Sequence, residues 1–220
     1  MGSVRAPRKL VALAIPFLLL PSTSLIFSIA SQSLGREAGY IAGFAFYWLV
    51  WCILAPGLIL GKQGFSSLLT DRRALFDRRN WLAAALWIVV TVVAVLMYGQ
   101  GFVRASPLLI LLAVPLATIN GLCEELLWRG LYVRLFPDNA WLGIVYPAAG
   151  FALWHFAPQI VYPAEGVVGF VLSTLFLGLA YGFIAYRTGS AKWTAVSHSL
   201  NGIVALAYPM AQAVISLLSH

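Results

Sequence analysis

Glu124 and Glu125, His155, and His198 with Asn201 are the residues of this chain whose types and surroundings could do chemistry. Each falls within or at the end of a long apolar run. An ionisable group at the centre of a bilayer costs about 2.5–3.5 kcal/mol or more, so a buried acid or histidine there asks for a use. The other acids, Glu37, Asp71, Asp77, Asp138 and Glu165, fall in loops, and the third histidine, His220, is the last residue. A carboxylate, two imidazoles and an amide are what hydrolysis of a peptide bond needs: a base for water, an acid for the leaving amine, and donors for the oxyanion. The same acids and histidines could also relay protons through a small transporter. Glu124, His155 and His198 could equally be the three protein ligands of a catalytic zinc.

The spacings assign roles within each group. Glu125 and Arg129 are four apart in the favourable acid-first order, so on a helix they share a face and can pair. Glu124 lies about 100° around the same helix, free to face a cavity. Phe151 and His155 are also four apart and share a face. Asn201 follows His198 by about one turn. Taken alone, each histidine is more often a polar bond between helices, and a pair of acids at a helix end can be a solvated terminus. The set is what points to function, because the apolar runs are otherwise bare of charge.

These residues must be positioned by membrane helices. Of 220 residues, 61% are hydrophobic and 10% charged, against about 45–50% and 25% in soluble domains. Mean hydropathy is +0.89. Runs of the length that a spanning helix needs, about 20 residues, cover 10–30, 39–61, 81–98, 107–128, 141–158, 166–186 and the stretch from 193 on, where Pro209 is placed to break the last. The expectation is an all-α, polytopic bundle of seven to eight membrane helices, one integral membrane domain over 1–220, with the catalytic core in 107–205. Eight Trp and nine Tyr suit anchors at the headgroups. The basic residues alternate by loop. One side holds Arg5, Arg8 and Lys9; Lys62, Arg72, Arg73, Arg78 and Arg79; Arg129 and Arg134; Arg187 and Lys192: twelve of the fourteen. The other side holds Arg36 and Arg104. That asymmetry predicts a cytoplasmic N-terminus. It also accounts for the net charge of +7 without a nucleic-acid partner. The apolar stretch behind the first basic residues shows no small-residue cleavage site and is read as a retained helix. Cys52 and Cys123 form no disulfide framework and no CxxC. Arginine outnumbers lysine, and no eukaryotic sorting signal stands out, which points to a bacterial inner membrane.

Glu-Glu-x-x-x-Arg at Glu124, Glu125 and Arg129, then Phe-x-x-x-His at Phe151 and His155, then His198 with Asn201, resembles in order and separation the CAAX-protease and bacteriocin-processing family, also called CPBP or Abi. The resemblance spans roughly residues 107–205. It implies an intramembrane endopeptidase similar to the CaaX prenyl endopeptidase, acting on a membrane-associated protein or peptide, lipidated or not. It implies Glu124 and His155 as the pair that activates water, His198 and Asn201 as stabilisers of the oxyanion, and Glu125, Arg129 and Phe151 as support. It favours no cofactor, with zinc on Glu124, His155 and His198 the alternative. One departure is plain. The family pattern carries an amide or acid four residues after the last histidine, where this chain has Gly202; its Asn is three after. A transporter, or a membrane scaffold that has lost activity, are the other readings. No HExxH, no GxGD and no nucleophilic serine motif is present in a membrane run.

Overall fold

The computed structural model describes residues 6–219, so Arg5 and His220 lie outside it. Among the described residues every regular element is helical. Eight helices follow in order: α1 Ala6–Leu34, α2 Arg36–Ser66, α3 Arg78–Val103, α4 Pro107–Leu135, α5 over residues 141–154, α6 Val167–Thr188, α7 Lys192–Val204 and α8 Met210–Leu218. Five of them, α1 to α4 and α6, are long and apolar enough to cross a bilayer. Length and composition thus show five of the expected seven to eight spans. The remaining segments are helical, but α7 has 13 residues and α8 has 9. A crossing needs about 20. Pro209 does divide the C-terminal stretch, and α8 starts directly after it.

Local chemistry sets the boundaries. Gly35, at φ 87°, turns the chain between α1 and α2 with no further loop, a conformation open to glycine. Ser106 caps α4, its Oγ accepting from the Leu109 N–H at 3.3 Å, and Pro107 suits the first helical turn. Pro16 and Pro21 stay inside α1. Next to Pro21, the Thr23 hydroxyl donates to the Leu19 carbonyl at 2.7 Å, which satisfies a buried hydroxyl within its own helix.

The apolar outer surface includes Phe17, Leu58, Leu96 and Leu111, all exposed; lipid solvates such side chains. The aromatic residues divide. Trp81 and Trp141 are exposed at the starts of α3 and α5, as headgroup anchors would be. Trp128, Trp154, Tyr47, Tyr132 and Tyr181 are instead buried in the core, contrary to the expectation for the aromatics as a group. The polar atoms of these five explain it, because each finds an internal partner. Trp128 Nε1–H donates to Tyr47 Oη at 2.8 Å, and Tyr132 Oη–H to the Ala12 carbonyl at 2.8 Å.

Two features bring the polar residues to one depth. The chain before α7 is tied to the loop after α2. Arg72 and Arg73 N–H groups both donate to the Thr188 carbonyl, and the Ala191 N–H donates to the Leu68 carbonyl at 2.9 Å. Helix α7 then runs antiparallel against α4. Gly121 of α4 faces Ser199 so closely that a Cβ there would lie 2.7 Å from the Ser199 nitrogen.

Candidate functional site

Glu124 and Glu125 end the regular part of α4, and a wider turn, Leu126–Leu131, follows. Such turns gather at functional sites because they re-aim side chains. Both acids are buried, at 2% and 0% exposure. Arg129 lies in that turn and is 1% exposed. It is therefore not the cytoplasmic loop charge that its place after an apolar run implied. Its Nη1–H donates to Glu125 Oε1 at 2.8 Å, the pair expected from the spacing. Its guanidinium also lies over the Phe151 ring, 4.2 Å from the centroid. That contact gives Phe151 a physical task, since an aromatic face stabilises a desolvated cation.

Glu125 has a second partner that the spacing does not reveal. His198 Nδ1 lies 2.9 Å from the same Oε1. Glu125 ties α4 to α7 as well as holding Arg129. The other ring nitrogen, Nε2, lies 3.4 Å from Glu124 Oε2. One imidazole thus sits between two carboxylates on adjacent positions of α4.

Glu124 is held from three elements. Trp154 Nε1–H of α5 donates to Oε1 at 3.0 Å. Asn120 Nδ2–H, one turn earlier in α4, donates to Oε2 at 3.2 Å. Trp48 Nε1–H of α2 donates to Asn120 Oδ1 at 2.9 Å and so fixes the amide's orientation. Nearby, His155 ends α5, its Nδ1 2.7 Å from the Phe151 carbonyl. A carbonyl only accepts, so Nδ1 carries the proton and Nε2 is the acceptor of the neutral ring.

Asn201 is fixed by a directional chain. Its Nδ2–H donates to Tyr181 Oη at 2.9 Å, the Tyr181 hydroxyl donates to Ser197 Oγ at 3.1 Å, and Ser197 pairs with Thr91 Oγ1 at 2.7 Å. The Thr91 hydroxyl ends the chain on the Trp87 carbonyl at 2.8 Å. One amide proton of Asn201 is committed to this chain and the other is not, so position 201 offers a donor one residue short of Gly202.

Glu124, His155, His198 and Asn201 all line one cavity of about 580 Å³. The structure therefore brings together every polar residue singled out by the spacings, with Glu125 and Arg129 packed behind them. Sequence reasoning missed Trp154, Asn120, Tyr181 and Ser197. Asn120 had a usable signal, standing four before Glu124 on the same helical face. Tyr181 had none, because nothing near it in the chain is polar enough to mark it.

The zinc alternative meets a donor set that is already engaged. Both His198 nitrogens face carboxylates, and His155 Nδ1 faces a carbonyl. Among the described residues no three His, Cys, Asp or Glu side chains are arranged to hold a metal ion.

Fold and site together define a polytopic helical membrane protein with a carboxylate–imidazole cluster facing an internal cavity. Residues 105–204 match the family described as Rce1-like, type II CAAX prenyl endopeptidase Rce1-like. That stretch, which carries every clustered acid and histidine, is similar to the CAAX-protease family. No curated protein and no solved structure matches the chain.

Proposed function

We propose that the chain is an intramembrane endopeptidase of the CaaX-protease type that hydrolyses a peptide bond with water activated by Glu124 and His155. The observation that carries this is the placing of Glu124 Oε2, His198 Nε2 and His155 on the wall of one cavity, the first two 3.4 Å apart. Water between Glu124 and His155 attacks the carbonyl carbon and gives a proton to Glu124. As an imidazolium between two carboxylates, His198 donates Nδ1–H to Glu125 and Nε2–H to the oxyanion, and the uncommitted Asn201 Nδ2–H donates beside it. When the C–N bond breaks, Glu124 returns its proton to the amine. Such acid–base work contributes about 10²–10⁴-fold, and an oxyanion donor about 10²–10³-fold. Trp154 and Asn120 keep the acid in place between these steps. The substrate is a membrane-associated polypeptide, with or without a lipid, and the setting is a bacterial cell membrane with the N-terminus cytoplasmic.

The test uses purified protein in lipid nanodiscs with quenched-fluorescent peptides, farnesylated and unmodified. Wild type should cleave at least one, and Glu124→Gln should lose at least about 10²-fold in rate while remaining folded. A strong chelator should leave the rate unchanged. Full activity in Glu124→Gln overturns the mechanism. A rate lost to the chelator and restored by zinc moves the site to metal chemistry. Proton flux without cleavage would make the chain a transporter.

A further inference from the structure

A second cavity, of about 270 Å³, lies among the basic loops. It shares no lining residue with the cavity that holds Glu124. Its wall is built from Arg72 and Arg73 of the loop after α2, Asp138 just past α4, and Tyr186, Arg187 and Gly189 at the end of α6. Among the described residues none of the three arginines, nor Asp138, forms an ion pair. Arg187 is engaged in another way. Its Nε–H donates to Asn80 Oδ1 at 3.2 Å and its Nη2–H to the Arg79 carbonyl. It also stands in the last turn of α6, where a cation suits the helix dipole. Arg72 and Arg73 have no such task. Their backbone N–H groups both donate to the Thr188 carbonyl, at 2.9 and 3.0 Å, which fixes the loop. Yet among the described residues neither guanidinium, nor the Tyr186 hydroxyl, makes a hydrogen bond.

Gly189 shapes the place. Its φ is 75°, and a Cβ there would lie 2.8 Å from Arg72 Cδ. The arginine stem thus rests directly on the backbone at the end of α6, in a conformation and a clearance open to glycine. Partial burial, and then the nearby Arg134, hold the Arg72 group below its usual pKa, and Asp138 offsets only part of this. Positive charge is gathered here with too little negative charge around it. We infer that this cavity binds a phosphate group, supplied by the headgroup of an anionic membrane lipid. Guanidinium forks match phosphate oxygens two at a time, and the Tyr186 hydroxyl adds a further donor. The volume lies just below the roughly 300–1,000 Å³ of sites for drug-sized ligands, so the cavity takes a small group. Its place explains the source. The spanning helices α4 and α6 end here, and Trp141, exposed three residues beyond Asp138, suits headgroup depth. Basic pockets between membrane helices hold lipid headgroups of this kind. A phosphate held by Arg72 and Arg73 would also brace the turn at 189–191 from which α7 starts.

The test is thermal unfolding of the purified full chain in a neutral detergent at constant ionic strength. Three ligands are titrated: short-chain phosphatidylglycerol, short-chain phosphatidylcholine and inorganic phosphate. Apparent affinity is read from the rise in melting temperature with concentration. Wild type should bind phosphatidylglycerol more tightly than phosphatidylcholine. Arg72→Gln with Arg73→Gln should weaken that binding about 30-fold, since each basic residue at an anionic headgroup is worth about fivefold. The charge-matched control is Arg78→Gln with Arg79→Gln, in the same loop but outside the cavity; it should bind nearly as wild type does. Asp138→Asn removes the one acid of the wall and should bind more tightly, a gain that misfolding cannot produce. Equal losses in the two arginine pairs would mean diffuse attraction to the basic loops and overturn the site. So would an Arg72→Gln with Arg73→Gln protein that keeps its affinity for every ligand. A response to inorganic phosphate that this variant loses, with no preference between the two lipids, keeps the phosphate site and overturns the lipid as its source.

Discussion

Replacing Glu125 by glutamine removes one charge from a pair that water does not reach. The Glu125–Arg129 contact is 2.8 Å long and its side chains are 0% and 1% exposed. Breaking such a pair by losing one partner costs about 3–5 kcal/mol, because the remaining charge stays buried without compensation. Arg129 would keep a neutral amide oxygen and the Phe151 and Tyr181 rings, with no opposite charge beside it. The amide oxygen of glutamine can still accept from His198, so that contact adds little to the loss. In a chain of this length about 1 kcal/mol shifts the melting temperature by about 2–4 °C, so the variant should melt about 6–20 °C lower. Glu124→Gln is the matched control. It keeps an oxygen for Trp154 and should melt close to wild type. A second variant, Glu125→Gln with Arg129→Met, removes the stranded charge and should regain at least half of the loss. The assay is thermal unfolding in one detergent, followed by tryptophan fluorescence. A Glu125→Gln protein melting within about 2 °C of wild type would falsify the buried-pair argument. So would a double variant less stable than the single one.

Two further outcomes follow from the site. Gly121→Val should cut cleavage sharply and lower the melting temperature, since a Cβ there would lie 2.7 Å from Ser199 and push α7, with His198, away from Glu124; unchanged kinetics would mean that the α4–α7 contact does not set the site. Asn201→Ala should lower kcat by about 10²-fold with KM little changed, as loss of an oxyanion donor does. Tyr181→Phe keeps the amide but frees it from its chain of hydroxyls, and should lower kcat by less. Equal losses in the two variants, or a loss carried by KM, would remove Asn201 from the oxyanion role.

Much of the site was legible because membrane burial makes polar residues conspicuous. In a chain with 10% charged residues, two adjacent acids and two histidines inside apolar runs stand out, and helical spacing pairs Glu125 with Arg129 without any structure. Spacing says nothing about contacts between helices. The sharing of Glu125 between Arg129 and His198, and the Trp154 bond to Glu124, arise only when α4, α5 and α7 pack. Hydropathy located the helices, and five of them are long and apolar enough to cross a bilayer by themselves. It scores α5 and α7 like those five, although α5 ends at Trp154 and α7 at Val204. Arg129 misled for the same reason. A basic residue after an apolar run reads as a loop, and only packing against Phe151 shows it turned inward.

The two neighbouring acids also differ in how easily they could be lost over time. Glu124 faces the cavity, and its replacement by an amide leaves the helices where they are. Glu125 holds Arg129 and His198 at once, so its loss disturbs the architecture before it touches any reaction. A lineage that abandoned the chemistry could therefore discard Glu124 in one step, while Glu125 and Arg129 would have to go together. Descendants of this chain that serve only as membrane scaffolds should accordingly show change first at position 124, with the ion pair beside it still in place.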